Sequence, residues 1–434
     1  MNSLFINRVG IIALGLYVLF LWQCLVFTKL AEAALILCVV VSLASSVSIR
    51  KSRVHYSPDD RLFVLAFLLF VLGSLFALLI NPISDQTLVR NELLLTFLLI
   101  VPFYYLMRVA DIKPFSTYWG FGLAALLAGI FAVIQLVYWN ATGEYILTSG
   151  NSFAEFPGRP SGGVNPMRFG AITLCLAVIS LNGLLFLKGN TRVKQVWLVA
   201  GVVSALIGCI LTQARGAWLA IPVLAIAYLI YLGKQWPAKR LWAVFFVILV
   251  VIGSVVSTPQ FQQRFNEAIS NIQSYQKGNA NTSLGARFDM AKAAWVLIKE
   301  KPVLGHGLGS YKDLATEIRL ANPGMSREVG MWKNPHNEIL LVMVERGIPG
   351  LISLVFLFGA LGFVYWKYAW REDTAFYAVS GLGILIVYGV AGQSVALFEH
   401  EPFTYFFAST QALLMARMLK IVHGVKRVEN VAST

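Results

Sequence analysis

The sequence predicts an all-α polytopic membrane protein, with about twelve transmembrane helices and one long helical loop on the outer side. Three observations predict it. Of the 434 residues, 58% are hydrophobic and only 13% are charged, against about 25% charged in an ordinary soluble domain. Apolar runs of about 20 residues, the length that spans hydrocarbon as a helix, recur along almost the whole chain. Basic residues are also divided unequally between the two sets of loops that those runs imply. The whole chain, 1–434, reads as a single membrane domain, with 258–347 as a loop subdomain inserted between the ninth and tenth spans.

Taken in order, the runs lie near 9–28, 31–49, 62–80, 93–110, 115–139, 169–187, 195–213, 216–233, 240–257, 348–366, 375–397 and 402–421. The run at 93–110 is the weakest, because it contains Pro102 and Arg108. The first run is too long for a signal-peptide core and no clear small-x-small cleavage site follows it, so it reads as a retained anchor. Twelve spans put both termini on one side. The loops on that side hold 19 basic and 6 acidic residues, and the rest of the chain holds 16 and 15. This is the positive-inside asymmetry. It predicts cytoplasmic termini and an outer long loop, and it accounts for the net charge of +14 without a nucleic-acid partner. Cys24, Cys38, Cys175 and Cys209 all fall in apolar runs and read as small buried side chains, with no disulfide or metal framework.

Two outer loops exceed simple turns. The first, roughly 140–166, is rich in Gly, Ser, Asn and Pro, as in Pro157-Gly158-Arg159-Pro160-Ser161-Gly162-Gly163. In the second, Phe261, Phe265, Ala268, Ile269, Ile272 and Tyr275 recur at helical spacing among polar residues. That pattern predicts an amphipathic helix suited to a bilayer surface. Phe288, Ala291, Trp295 and Ile298 predict another helix, and Gly305-His306-Gly307-Leu308-Gly309 a flexible turn. Asn334-Pro335 reads as the opening of the last helix, with Asn as cap and Pro first, which puts His336 in its first turn.

The spans themselves are almost free of charge, whereas ion-coupled transporters place ionisable groups at mid-membrane. Polar chemistry gathers at the outer boundary, which favours an enzyme over a transporter. His336 ends a long polar stretch just before the apolar run Ile339–Val344. A histidine can move a proton near neutral pH, although a capping or hydrogen-bonded histidine in a tight turn is the plainer reading on spacing alone. His306 is the rival, in surroundings that fit a turn. Arg215 stands between two apolar runs in Gln213-Ala214-Arg215-Gly216. Its planar fork suits phosphate and Gly216 leaves room for a ligand; an arginine snorkelling to headgroups is the plainer reading. Arg287, near the start of the second loop helix, is disfavoured there by the macrodipole unless something anionic offsets it. A salt bridge to a loop carboxylate would serve. Arg159, Arg168, Lys333 and Asn337 are further candidates for substrate contact. Glu399-His400-Glu401 reads as a polar turn, since three successive residues rarely converge on one ion, and no metal site is expected.

The ordered segments Gln213–Leu219, Ser283–Phe288 with Trp295, Lys301–Gly309, Pro335–Leu340 and Glu345–Gly350 resemble the O-antigen ligase/polymerase superfamily, over roughly 212–350. Within it the chain is most similar to O-antigen ligases, and it lacks the large C-terminal extension of the related protein O-oligosaccharyltransferases. The resemblance implies a multi-pass inner-membrane glycosyltransferase with its active site facing the periplasm. The donor would be O-antigen on undecaprenyl diphosphate and the acceptor a hydroxyl of lipid A-core, used without metal, nucleotide or other cofactor. It assigns the catalytic base to His336 and the diphosphate contacts to Arg215 and Arg287, with inversion at the anomeric carbon. The alternatives are a polymerase acting on undecaprenyl-diphosphate-linked repeats and a transporter of lipid-linked sugar.

Overall fold

The computed structural model describes residues 2–23, 28–46, 49, 56–80, 93–112, 114–144, 146, 158–162, 164–187, 189, 191–239, 241–242, 245–246, 253, 256–257 and 259–432. Most of the run 240–257, together with Cys24, Arg90 and the segment 147–157 of the first outer loop, lies outside them. The regular elements among the described residues are helices: α1 (Asn2–Gln23), α2 (Thr28–Ala44), α3 (Pro58–Ile80), α4 (Val101–Val109), α5 (Pro114–Thr142), α6 (Pro166–Phe186), α7 (Arg192–Leu211), α8 (Arg215–Gly233), α9 (Pro259–Gln276), α10 (Ser283–Glu300), α11 (Tyr311–Ala321), α12 (Glu338–Tyr368), α13 (Ala375–Ala391) and α14 (Glu401–Ala432). Among the described residues seven helices are long and apolar enough to cross a membrane, and Leu30–Ala44, Leu93–Val109 and Ala375–Ala391 are shorter apolar helices. The protein is an all-α polytopic membrane protein.

In lipid the hydrophobic effect does not drive helices together, so close backbone approach does. The contact between α5 and α7 is built that way. A Cβ at Gly129 would overlap the backbone of Ser204, and one at Gly208 would lie 3.2 Å from the Gly129 Cα. One heptad away, a Cβ at Gly201 would lie 3.1 Å from the Gly122 carbonyl. Ser204 Oγ donates to the Leu126 carbonyl at 2.7 Å across the same seam. Helix α6 is the most enclosed span, with 78% of its window buried, and it packs against α5, α7, α8, α13 and α14.

At the end of the bundle away from the site, buried charge is paired. Arg108 Nε meets Asp60 Oδ1 at 2.9 Å, and Tyr104 donates to the same oxygen at 2.5 Å. Lys367 and Tyr368, at the last turn of α12, both reach Asp59. Arg417 of α14 donates to the carbonyls of Ala110 and Ile112. The charge that made 93–110 the weakest run is thus satisfied by an acid on α3 and is compatible with a short helix.

At the other end, α9, α10 and α11 form the long loop. A second core of Ala286, Met290, Ala293, Leu297, Tyr311 and Val329 continues onto Leu341 and Val344 of α12. Helix α12 begins at Glu338 and includes the kink at Gly347 (φ 61°, ψ −153°). The kink has a chemical partner. Pro349 has no N–H to give the Glu345 carbonyl, and Gly307 N–H donates to it at 2.9 Å. Ile348 N–H turns to the Pro302 carbonyl at 3.1 Å, and His306 N–H takes over the Val344 carbonyl at 2.7 Å. A Cβ at Gly305 (φ 67°) would press on the backbone of Glu345 and Arg346. The expected flexible turn 305–309 is a fitted joint. Its histidine is held by the Leu297 carbonyl at 2.8 Å from Nε2, which leaves His306 a structural residue.

Candidate active site at one end of the bundle

Four chain segments meet where α6, α8 and α12 begin and α10 crosses them. The first is the turn Thr212-Gln213-Ala214. Among the described residues only Gln213 (φ 53°) and His336 (φ 54°) are non-glycine residues with positive φ. Strained backbone of this kind costs about 1–3 kcal/mol per residue and clusters at functional sites. Arg159 fastens the turn, its Nε donating to the Thr212 carbonyl at 2.9 Å and its Nη2 to the Gln213 carbonyl at 3.2 Å. Arg215 follows as the first residue of α8. Gly216, expected to allow close approach by a ligand, is approached by the turn that follows α13: a Cβ there would overlap the Ser394 side chain.

Helix α9, the amphipathic helix that the pattern predicted, lies over this turn. Its Phe261 stacks on Trp218 of α8 with centroids 6.1 Å apart, while Phe265, Ile269 and Ile272 remain exposed. Arg264 places Nε and Nη2 on Gln213 Oε1 at 3.0 and 2.7 Å. Glu267 accepts from Arg264 Nη1 at 2.8 Å and from Arg215 Nη2 at 3.2 Å. Neither Arg264 nor Glu267 is singled out by the sequence. On an amphipathic helix they read as ordinary polar-face residues, and nothing in the spacing says which bulk partner they meet.

Helix α10 is capped by Thr282, whose side chain accepts from Gly285 N–H at 3.1 Å. Arg287 is its fifth residue rather than a first-turn residue, so the macrodipole opposes it less than expected. It reaches back toward α6, with Nη2 3.9 Å from Met167 Sδ. Burial, then the nearby charge of Arg215, pulls its pKa below the usual arginine value, opposed by Glu328. Arg168, on the first turn of α6, sits 2.9 Å from His400 Nε2.

His336 does not lie in the first turn of α12, and Asn334 is not its cap. Asn337 is the cap, its side chain accepting from Leu340 N–H at 3.0 Å. Asn334 instead accepts from the backbone N–H of His336 at 2.9 Å and donates to Glu399. This Asx-type turn competes with helix for the same backbone groups and turns His336 into the left-handed region. Trp332 packs edge-on to its ring at 5.7 Å. Burial, followed by the charges of Arg287 and Arg168, pushes the His336 pKa down to about 4. Both causes disfavour a second ring proton, so the imidazole is neutral at physiological pH.

The site therefore joins His336, Arg287 and Arg215 through successive electrostatic neighbours, with Arg168 on the other flank. Arg159 is engaged with the turn, Asn337 with the cap, and Lys333 is exposed. The polar turn at Glu399-His400 holds Asn334 and Arg168, a supporting role that its sequence does not announce. Among the described residues no group of three or more His, Cys, Asp or Glu side chains is arranged to hold a metal ion.

Residues 200–355 match the family model described as O-Antigen ligase. A relative from Haemophilus influenzae, named only as an uncharacterized protein, is 28% identical over 313 residues, 71% of this chain and 73% of that one. An O-antigen ligase of Salmonella typhimurium is 32% identical over 183 residues, 42% of each chain. An O-antigen ligase of Escherichia coli is 26% identical over 198 residues, 45% of this chain and 46% of the other. The chain thus spans less than half the length of the two ligases it matches.

Proposed function

We propose, from the premise that residues 200–355 belong to the O-antigen ligase superfamily, that this protein is a glycosyltransferase of lipopolysaccharide biosynthesis. It moves O-antigen glycan from undecaprenyl diphosphate to a hydroxyl of lipid A-core, at the periplasmic face of the inner membrane, with both termini in the cytoplasm. The observation that carries the reading is a neutral histidine beside the partly buried Arg287 and Arg168 at one end of the bundle. Neutral His336 takes the proton of the acceptor hydroxyl as general base. Arg215 and Arg287 stabilise the charge that develops on the leaving diphosphate, in the role that a metal ion plays elsewhere. Attack opposite the diphosphate inverts the anomeric centre.

The low His336 pKa fits this chemistry in a particular way. Arg287 and Arg168 weaken the base while they are uncompensated. A bound diphosphate offsets their charge and lets the imidazole pKa rise toward its ordinary value, so the base strengthens only when the donor is present.

The test is glycan transfer between two lipids by the purified protein, with donor and acceptor on the same side of the membrane. Transfer supports the ligase reading and excludes a transporter as the whole explanation. In a deletion strain, loss of a ligase leaves lipid A-core bare while lipid-linked polymer persists. A single repeat on the core would show a polymerase instead.

A further inference from the structure

Arg215 and Arg264 come from different helices and converge on one oxygen, Glu267 Oε2, at 3.2 and 2.8 Å. Two guanidiniums directed at a single oxygen form the geometry that a phosphoryl oxygen takes. Arg264 does not owe its direction to Glu267. Its Nε and Nη2 are fixed on Gln213 Oε1 at 3.0 and 2.7 Å, and Gln213 is itself locked in a left-handed turn at φ 53°. Only Nη1 of that fork is turned toward Glu267. All three side chains are partly exposed, Arg215 27%, Arg264 30% and Glu267 35%. The other oxygen of Glu267 is held within its own helix by Gln263 Nε2, at 3.0 Å. Arg264 thus keeps an anchor on Gln213 that does not depend on Glu267. Beyond these residues lies Arg287, within the field of Arg215.

We propose that Glu267 takes the place of a phosphoryl oxygen between Arg215 and Arg264. Arg264 is then a third guanidinium of the diphosphate site, and the donor's diphosphate competes with the Glu267 carboxylate for its position. This rests on reading the site as one for a prenyl diphosphate. The competition has a use in a membrane, where phosphate monoester and phosphodiester headgroups are abundant. A single phosphate contacts too few of the arginines to displace the carboxylate, whereas a diphosphate spans them.

The experiment uses the full chain in detergent micelles, with farnesyl diphosphate and farnesyl monophosphate as probes, and donor KM and kcat measured separately. Glu267→Gln keeps the size and removes the competing charge. It should bind farnesyl diphosphate about tenfold more tightly, gain proportionally more for the monophosphate, and lower the donor KM without raising kcat. Glu267→Asp, which withdraws the charge by one methylene, should fall between the two. Arg264→Lys keeps the charge but loses the fork, and should weaken diphosphate binding about tenfold. Unchanged or weaker diphosphate binding in Glu267→Gln overturns the competition and leaves a structural clamp. Unchanged binding in Arg264→Lys overturns the third guanidinium. Those results alongside normal transfer would remove this inference alone. An unchanged chain that neither prefers the diphosphate probe nor transfers glycan would remove the diphosphate reading as well.

Discussion

The protonation of His336 is set by its surroundings. The sequence context of His336 also fits a capping residue, and the structure gives the capping task to Asn337. That leaves an imidazole whose proton affinity is set by burial and two arginines. His336→Ala should lower transfer by about 10²–10⁴-fold, the contribution of a positioned base, with the protein still folded and inserted. Normal transfer would remove the mechanism. Because the folded pKa lies below the ordinary value, activity is lost only as pH falls through it. The acid limb of kcat/KM, which reports the free protein, should lie near pH 4. The limb of kcat should lie higher, because bound diphosphate offsets Arg287 and Arg168. Coincident limbs would argue against that coupling. Arg215→Lys should reduce kcat/KM about tenfold or more, since lysine keeps the charge and loses the fork. Full activity would restore the snorkelling reading.

At the scale of elements, helices were legible because period and capping act locally. Phe261, Phe265, Ile269 and Ile272 mark α9, and the apolar runs mark the spans. The start of α12 was not legible. Asn334 and Asn337 are both good caps preceding a helix, and only contact with Glu399 decides that Asn334 makes a turn. The joint of 302–309 with 344–348 was also hidden, because its hydrogen bonds pair groups some 40 residues apart. The glycine seam between α5 and α7 gives a clean test. Gly129→Ala should lower thermal stability in detergent by the about 1–3 kcal/mol of an overpacked contact. Gly15→Ala, where a Cβ meets nothing within 4 Å, should be neutral or slightly stabilising. Equal effects would mean the seam is not tight.

Over the whole molecule, the class followed from composition, because lipid demands long apolar helices and tolerates few charges. The partners inside the site did not follow. Arg168 with His400, and Arg215 with Glu267, lie 232 and 52 residues apart in sequence, and no local period relates them. Added chelator should leave transfer by the purified protein unchanged, as expected if arginines do the work of a metal; inhibition reversed by a divalent ion would overturn that.

The supports of His336 and Arg168 include Glu399 and His400, in the turn that leads into α14. This fixes when in synthesis the site can come into being. Arg168, Arg215, Arg287 and His336 all leave the ribosome earlier, but Asn334 lacks Glu399 and Arg168 lacks His400 until the turn before α14 has been made. If the proposed function holds, a nascent chain should not act on lipid-linked glycan until that turn is in place. A chain stopped after Ala391 should carry every proposed catalytic and diphosphate-contacting side chain and yet transfer nothing. Supplying residues 392–434 as a separate membrane-inserted segment should restore activity to the extent that α14 docks.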